Sequence, residues 1–153
     1  MTDVLTYWRD YVWNVKEGRV HGWYSNSRLF GTLEPGDRLW MVTSGKNVRV
    51  EVEQAGFLVA IWIVKEVMEN AGEDQEYPSE EYRYRIVAED EESITFSDPV
   101  AVDHILRPQG RDNAVSIGRF LQGPRKLREN TLRLLRAAAG PDLALRWLTG
   151  SKA

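Results

Sequence analysis

A chain of 153 residues, 42% of them hydrophobic and 28% charged, has the size and balance of one globular domain, since domains commonly run to roughly 100–150 residues. It contains no cysteine, which excludes disulfides, thiolate metal ligands and a cysteine nucleophile. A net charge of −3 argues against indiscriminate affinity for nucleic acid.

The opening residues, MTDVLTYWRD, place acids and an arginine where a secretion signal needs a basic start and an apolar run. The longest apolar stretch, residues 57–64, is far shorter than the roughly 20 residues that cross a bilayer. The expectation is a cytoplasmic domain without a membrane partner.

In chain order, residues 10–16 (DYVWNVK) alternate Tyr11, Trp13 and Val15 with smaller neighbours and read as a first strand. A long polar and aromatic connection follows, broken by Gly22, Gly31 and the turn Pro35-Gly36-Asp37. Residues 38–43 (RLWMVT) form a second strand, and residues 48–53 (VRVEVE), alternating cleanly, are expected to pair back on it as a hairpin. Residues 57–67 (FLVAIWIVKEV) are apolar on both faces, the mark of a central strand covered on both sides. After an acidic loop at 68–81, residues 82–88 (YRYRIVA) restore alternation, 90–93 turn, and 94–96 begin a last short strand. Six or so strands at this spacing describe a small sheet or barrel. The tail then changes period. Residues 116–121 suit a short helix, and Gly123-Pro124 is a start signal for a longer one, with Leu127, Thr131, Leu134, Leu135 and Ala138 on one face. Gly140-Pro141 ends it, and 142–148 would form a last helix docking Leu143 and Trp147. The single domain therefore divides into a core at about 5–107 and a helical basic tail at about 112–150.

Charge is distributed unevenly. Residues 66–92 hold eleven acidic and two basic residues, a balance of −9, whereas residues 105–153 hold ten basic and three acidic, a balance of +7. At 100° per residue, Arg125, Arg128, Arg133 and Arg136 fall together opposite the leucine face, with Lys126 at the edge and only Glu129 interrupting. Such a stripe suits phosphate contact. It equally suits pairing with the acidic segment, or plain solvation, and the residues alone leave the three open.

Of six tryptophans, five lie in the first 62 residues. Trp13, Trp40 and Trp62 fall in expected strands and read as core. Trp23 and Tyr24 sit instead in a polar loop with Ser25, Asn26, Ser27 and Arg28. An aromatic plane beside short hydrogen-bonding side chains suits stacking on a planar ring while its edge is read. As a loop residue, Trp23 is expected to leave no core cavity when removed.

Catalytic arrangements are poor. His21 and His104 are the only histidines and have no metal-ligand spacing; Asp103-His104 lies in a strand-like run. No nucleophile elbow, phosphate-binding loop or dinucleotide fingerprint is present. The expectation is no catalytic residue, no metal and no cofactor. Elemental analysis of the purified protein is expected to find no stoichiometric transition metal, and about one zinc per chain would overturn that expectation.

Four segments together resemble the PUA-like superfamily, EVE domains first and YTH domains more distantly: DYVWNVK, HGWYSNSRLFGTLEPGD, RLWMVTSG and FLVAIWIVKEV, covering roughly the first 70 residues. The resemblance implies an α+β fold, a small mixed β-barrel with flanking helices and a helical tail, and a pocket for a flipped-out modified nucleobase. It implies Trp23 as the aromatic wall, with Tyr24 beside it, and Ser25 and Asn26 reading the base edge. Thr43 and Ser44 would close the pocket side of the second strand, and Trp13 or Trp40 the opposite wall. Val42-Thr43-Ser44 lacks the aromatic or histidine that the family often has there.

The expected function is thus a non-catalytic reader of a modified base in DNA or RNA, with Arg28, Arg125, Lys126, Arg128, Arg133 and Arg136 holding phosphates. The alternatives are a protein-interaction module, docking through the acidic loop or an aromatic surface, and a small hydrolase acting on nucleic acid. Oligomeric state is not legible.

Overall fold

The computed structural model describes residues 1–16, 22–108 and 115–140. Its centre is β4 (Gly56–Glu69), a 14-residue strand buried continuously from Leu58 to Val64. The apolar run at 57–67 produces this by presenting hydrophobic side chains to both faces. Along one edge β4 pairs antiparallel with β3 (Arg38–Ser44). Along the other it pairs first with β6 (Ile94–Ala101), through Phe57–Ile61, and then with β5 (Tyr84–Ala88), through Val64–Glu69. Register shifts at Leu58/Ala60 and Val64/Glu66 bend the strand between its two partners.

The sheet curls into a half-barrel ordered β2-β5-β4-β3-β1-β7, with β6 on β4 outside this path. β1 (Asp3–Tyr7) runs parallel to β3 and carries the two-residue β7 (Arg125–Lys126) on its other edge. β2 (Gly22–Ser25) forms the opposite edge, on β5. One core layer packs Val4, Trp8, Phe30, Leu39, Met41 and Trp62 on one side of the sheet. The other packs Leu5, Trp40, Val42, Leu58 and Ile61 under three helices, α2 (Asp103–Leu106), α3 (Ile117–Leu121) and α4 (Glu129–Ala139). This is the expected small α+β barrel with flanking helices. No helix among the described residues is long and apolar enough to cross a membrane.

Several expectations are corrected. Residues 11–16 form a helix rather than a strand; numbered in its own right among the helices it is α1 (Tyr11–Lys16), and it buries Asn14 alone, while Trp13 remains 38% exposed. A six-residue alternation fits a helical turn and a half turn as well as a strand, and the deciding contact is polar. Asn14 Oδ1 accepts the indole N–H of Trp8 at 2.8 Å.

The VRVEVE hairpin is absent. Residues 45–55 close β3 onto β4 through local backbone bonds such as Gly45 N to Ala55 O (2.9 Å) and Lys46 N to Glu53 O (2.9 Å), with Arg49 at φ 60°. Asp103-His104 lies in α2, not in a strand, because Asp103 caps Gly56 N (2.9 Å) and pairs with Arg107 one turn later (2.7 Å). The long tail helix begins at Glu129, not at Pro124, since Arg125 and Lys126 are paired with Leu5 and Val4. Its inward residues are Leu132, Leu135, Ala138 and Ala139, while Leu134 faces solvent. Gly140, at φ 114°, ends it as expected. His21 and the helix expected at 142–148 with Leu143 and Trp147 lie outside the described residues.

Candidate functional site

Among the described residues no pairing joins β1 to β2, and the seam between them holds a cavity. At its floor is Trp8, fully buried, ordered by the bond to Asn14 and by the hydroxyl of Thr43, which donates to Trp8 O at 2.9 Å. Trp23 enters from β2 and meets Trp8 edge-on at 5.9 Å and Trp62 at 6.3 Å; Trp8 and Trp62 are themselves 5.0 Å apart. These edge-to-face packings are the favoured geometry for indole rings and fix the wall.

The remaining sides come from the acidic segment, whose Tyr77 ring lies parallel to Tyr24 at 4.4 Å and meets Tyr82 edge-on at 5.1 Å. The Tyr77 hydroxyl accepts from Asn14 Nδ2 at 3.1 Å. With Tyr7, Arg9 and Asp10 these residues enclose about 220 Å³, below the ~300 Å³ at which pockets for drug-sized ligands begin and suited to one planar ring. A groove of about 320 Å³ shares Tyr7, Trp23, Tyr24 and Tyr82 and continues past Ser25 and Asn26 on one bank and Gln122–Pro124 on the other.

Two polar features bear on chemistry. The Trp23 indole Nε1–H is buried without an acceptor, a state that ordinarily costs about 1–3 kcal/mol. On the rim, the exposed Arg9 donates to Asp10 Oδ1 (3.3 Å) and to the Tyr82 hydroxyl (3.4 Å). Asp10 first and Tyr82 second raise its guanidinium further above the ordinary arginine value, so Arg9 is a fixed cation at every accessible pH. Tyr11, edge-on to Trp8 at 5.1 Å, has its phenol pushed up by burial.

Of the expected pocket residues, the seam brings together Trp23, Tyr24, Ser25 and Asn26. Trp23 is nevertheless a half-buried strand residue packed on two core indoles, so its removal does open core space. Trp40 is excluded: it faces the other core layer, fully buried, its indole N–H donating to Asp3 Oδ1 at 2.9 Å. Trp13 projects from α1 and does not line the cavity. Thr43 and Ser44 are buried behind the floor rather than beside it. Sequence reading missed Tyr7, Trp8, Arg9, Asp10, Asn14, Tyr77 and Tyr82. The runs YWRD and YPSEEY carried the signal, as aromatic rings beside charge.

The expected phosphate ligands are dispersed. Arg28 is exposed at the start of a 3₁₀ turn (Arg28–Thr32) near Asn26. Arg125, though exposed, is engaged locally, donating to Leu121 O (2.9 Å) with its guanidinium over Phe120. Arg128 is exposed just ahead of α4. Lys126, Arg133 and Arg136 line a second cleft of about 630 Å³ with Arg38, Thr2, Asp3 and Glu129, at the other end of β1 from the seam. No group of acidic or histidine side chains with metal-binding geometry occurs among the described residues.

A curled α+β half-barrel flanked by helices is the PUA-like architecture. Neither a family model nor a curated protein matches the chain in sequence. Among solved structures, that of a mutant of ZmASCH from Zymomonas mobilis is similar with a TM-score of 0.55 at 12% identity, over 90% of this chain and 98% of that one. The ASCH domain is itself a PUA-like fold, and the likeness establishes the fold of this chain as PUA-like.

Proposed function

We propose that this protein is a non-catalytic nucleic-acid-binding module that takes one extruded, modified nucleobase into the seam, as an EVE-type reader does. The observation that carries the proposal is the seam cavity itself. It is walled by Trp23, Tyr24, Tyr77 and Tyr82 and is sized for one ring. A heterocycle supplies the π-face that the rings favour.

Extruding a base costs a few kcal/mol and stacking returns about 1–3 kcal/mol, so phosphate contacts must supply the rest. Arg9 on the rim and the basic cleft are the candidates. Binding rather than catalysis is favoured because the polar groups of the cavity are engaged with one another: Asn14 with Trp8 and Tyr77, Asp10 with Arg9.

Tyr82 is the residue on which to test this. It is half-buried and lines both cavity and groove, so Tyr82→Ala is expected to weaken binding of a modified-base oligonucleotide by about 1–3 kcal/mol with little change in melting temperature. The same strand with an abasic site at the target position should bind weakly to the wild type and be indifferent to the substitution. Equal affinity of the wild type for intact and abasic strands would reject the base pocket.

A further inference from the structure

The aromatic seam and the basic cleft belong to one rim. The groove leaving the seam passes Gln122, Gly123 and Pro124. The next two residues are β7, both exposed, and the cleft begins at Lys126 and Leu127. Residues 122–127 therefore run without a break from the aromatic end of β1 to its first residues. Among the described residues β7 pairs with β1 alone and ends the sheet, so no described strand lies along its outer edge.

The two banks of the groove differ in charge. Glu81 lines the bank formed by the acidic segment, and Glu80 beside it is exposed. The opposite bank leads to Lys126 and Arg133, both exposed, with Arg136 in the same cleft. Asp3 and Arg38 hold each other through two bonds (2.8 and 3.2 Å) and cancel, leaving Glu129 against Lys126, Arg133 and Arg136. A polyanion lying in the groove is repelled from one bank and drawn along the other.

The geometry points to a track for single-stranded nucleic acid along β7, with its phosphates over Lys126 and Arg133 and its leading base in the seam. The base end of this track rests on the proposed seam reading; the phosphate end does not. From Asp3 to Tyr7, the five residues of β1 cover about 13 Å at ~3.3 Å per step. At about 3.4 Å per stacked nucleotide the track holds roughly four nucleotides. A duplex fits poorly, because its second backbone would lie against the acidic bank.

The test uses the full chain and 5′-labelled oligo-uridylates and oligo-thymidylates of two to eight nucleotides, read by fluorescence anisotropy at several salt concentrations. For at least one of the two sugars, affinity should rise steeply up to about four or five nucleotides and then level off, and an octamer duplex should bind at least tenfold more weakly than the single strand. Lys126→Gln with Arg133→Gln, both exposed side chains, should lower octamer affinity about tenfold and reduce the log–log salt slope by about 1.4, at ~0.7 per phosphate contact on a single strand. Dinucleotide affinity should be unchanged. A flat length profile for both sugars, an unaltered slope, or equal losses for dinucleotide and octamer would overturn the track, as would a polyglutamate peptide of eight residues binding as tightly as the octamer. The two readings separate cleanly. If Tyr82→Ala has no effect while the length profile and slope change persist, the base pocket fails and the track stands.

Discussion

Replacing Trp62 by alanine is expected to cost about 3–5 kcal/mol of folding stability, as large-to-small changes in packed cores do. Trp62 is 1% exposed, lies in the fully buried stretch of β4 and touches both Trp8 and Trp23. Its removal deletes two edge-to-face contacts and leaves a void beneath the seam that the rigid strands β3 and β5 cannot close. For a chain of this size the melting temperature should fall by roughly 6–20 °C, measured by circular dichroism alongside denaturant titration. Trp23→Ala should fall well short of that, because its half-buried ring already meets the groove. A loss below about 1 kcal/mol for Trp62→Ala would mean that the ring is a cavity wall, and the layer assignment of β4 would have to be abandoned.

The second large effect is expected at Asp3. Its carboxylate accepts Arg38 Nε at 2.8 Å and Nη2 at 3.2 Å, and the Trp40 indole N–H at 2.9 Å; the side chains of Arg38 and Asp3 are 9% and 7% exposed. Asp3→Ala strips the buried guanidinium of its bidentate carboxylate and orphans the indole, and should cost about 3–5 kcal/mol. The pair as such need not be net stabilising, since its attraction only offsets the desolvation of two charges. Asp3→Leu with Arg38→Met should therefore recover a large part of the loss. Equilibrium unfolding in urea of the single and double variants decides the matter. A double variant no more stable than Asp3→Ala would show that the ion pair stabilises the fold in its own right.

The strands whose pattern admits one reading were legible. Residues 57–67 are too uniformly apolar for a surface helix and too short for a membrane span, and they form the centre of β4. Residues 38–43 and 82–88 were placed to within two residues, and the short helix expected at 116–121 is α3, capped by the Ser116 side chain. Short alternating runs misled. YVWNV and VRVEVE both alternate, yet one is a helix and the other a set of turns, because tertiary contacts at Asn14 and at Gly45 outweigh local pattern. β1 escaped notice because VLTY is only four residues, while its burial comes from β3 and β7, distant in sequence.

The site was legible where it lay in one segment, at Trp23–Asn26, and illegible where it was assembled from several. Tyr77 and Tyr82 lie in a segment whose charge masked its aromatic rings. Arg9 and Asp10 gain their meaning only when β1 delivers them to the mouth of the seam. The basic stripe illustrates the same limit. A helical projection grouped Arg125 with Arg136, but two residues of β-pairing turn Arg125 toward Phe120, while Lys126, Arg133 and Arg136 line the cleft at the far end of β1.

The placement of β1 also governs when this molecule can be finished. Its neighbours in the sheet are residues 38–42 and 125–126, so this strand acquires its second partner only after residues 45–126, beyond β3, have been made. Chain synthesis proceeds at about 5–20 residues per second, and for several seconds Val4 and Leu5 are held on one side only. Joining residue 4 to residue 126 closes a very long loop, an entropic cost that grows slowly with length but must be met before the contact rewards it. The basic rim, built on that closure, is accordingly a late feature of the fold. The antiparallel β3–β4 pair, close in sequence, needs no such wait, whereas the basic rim does.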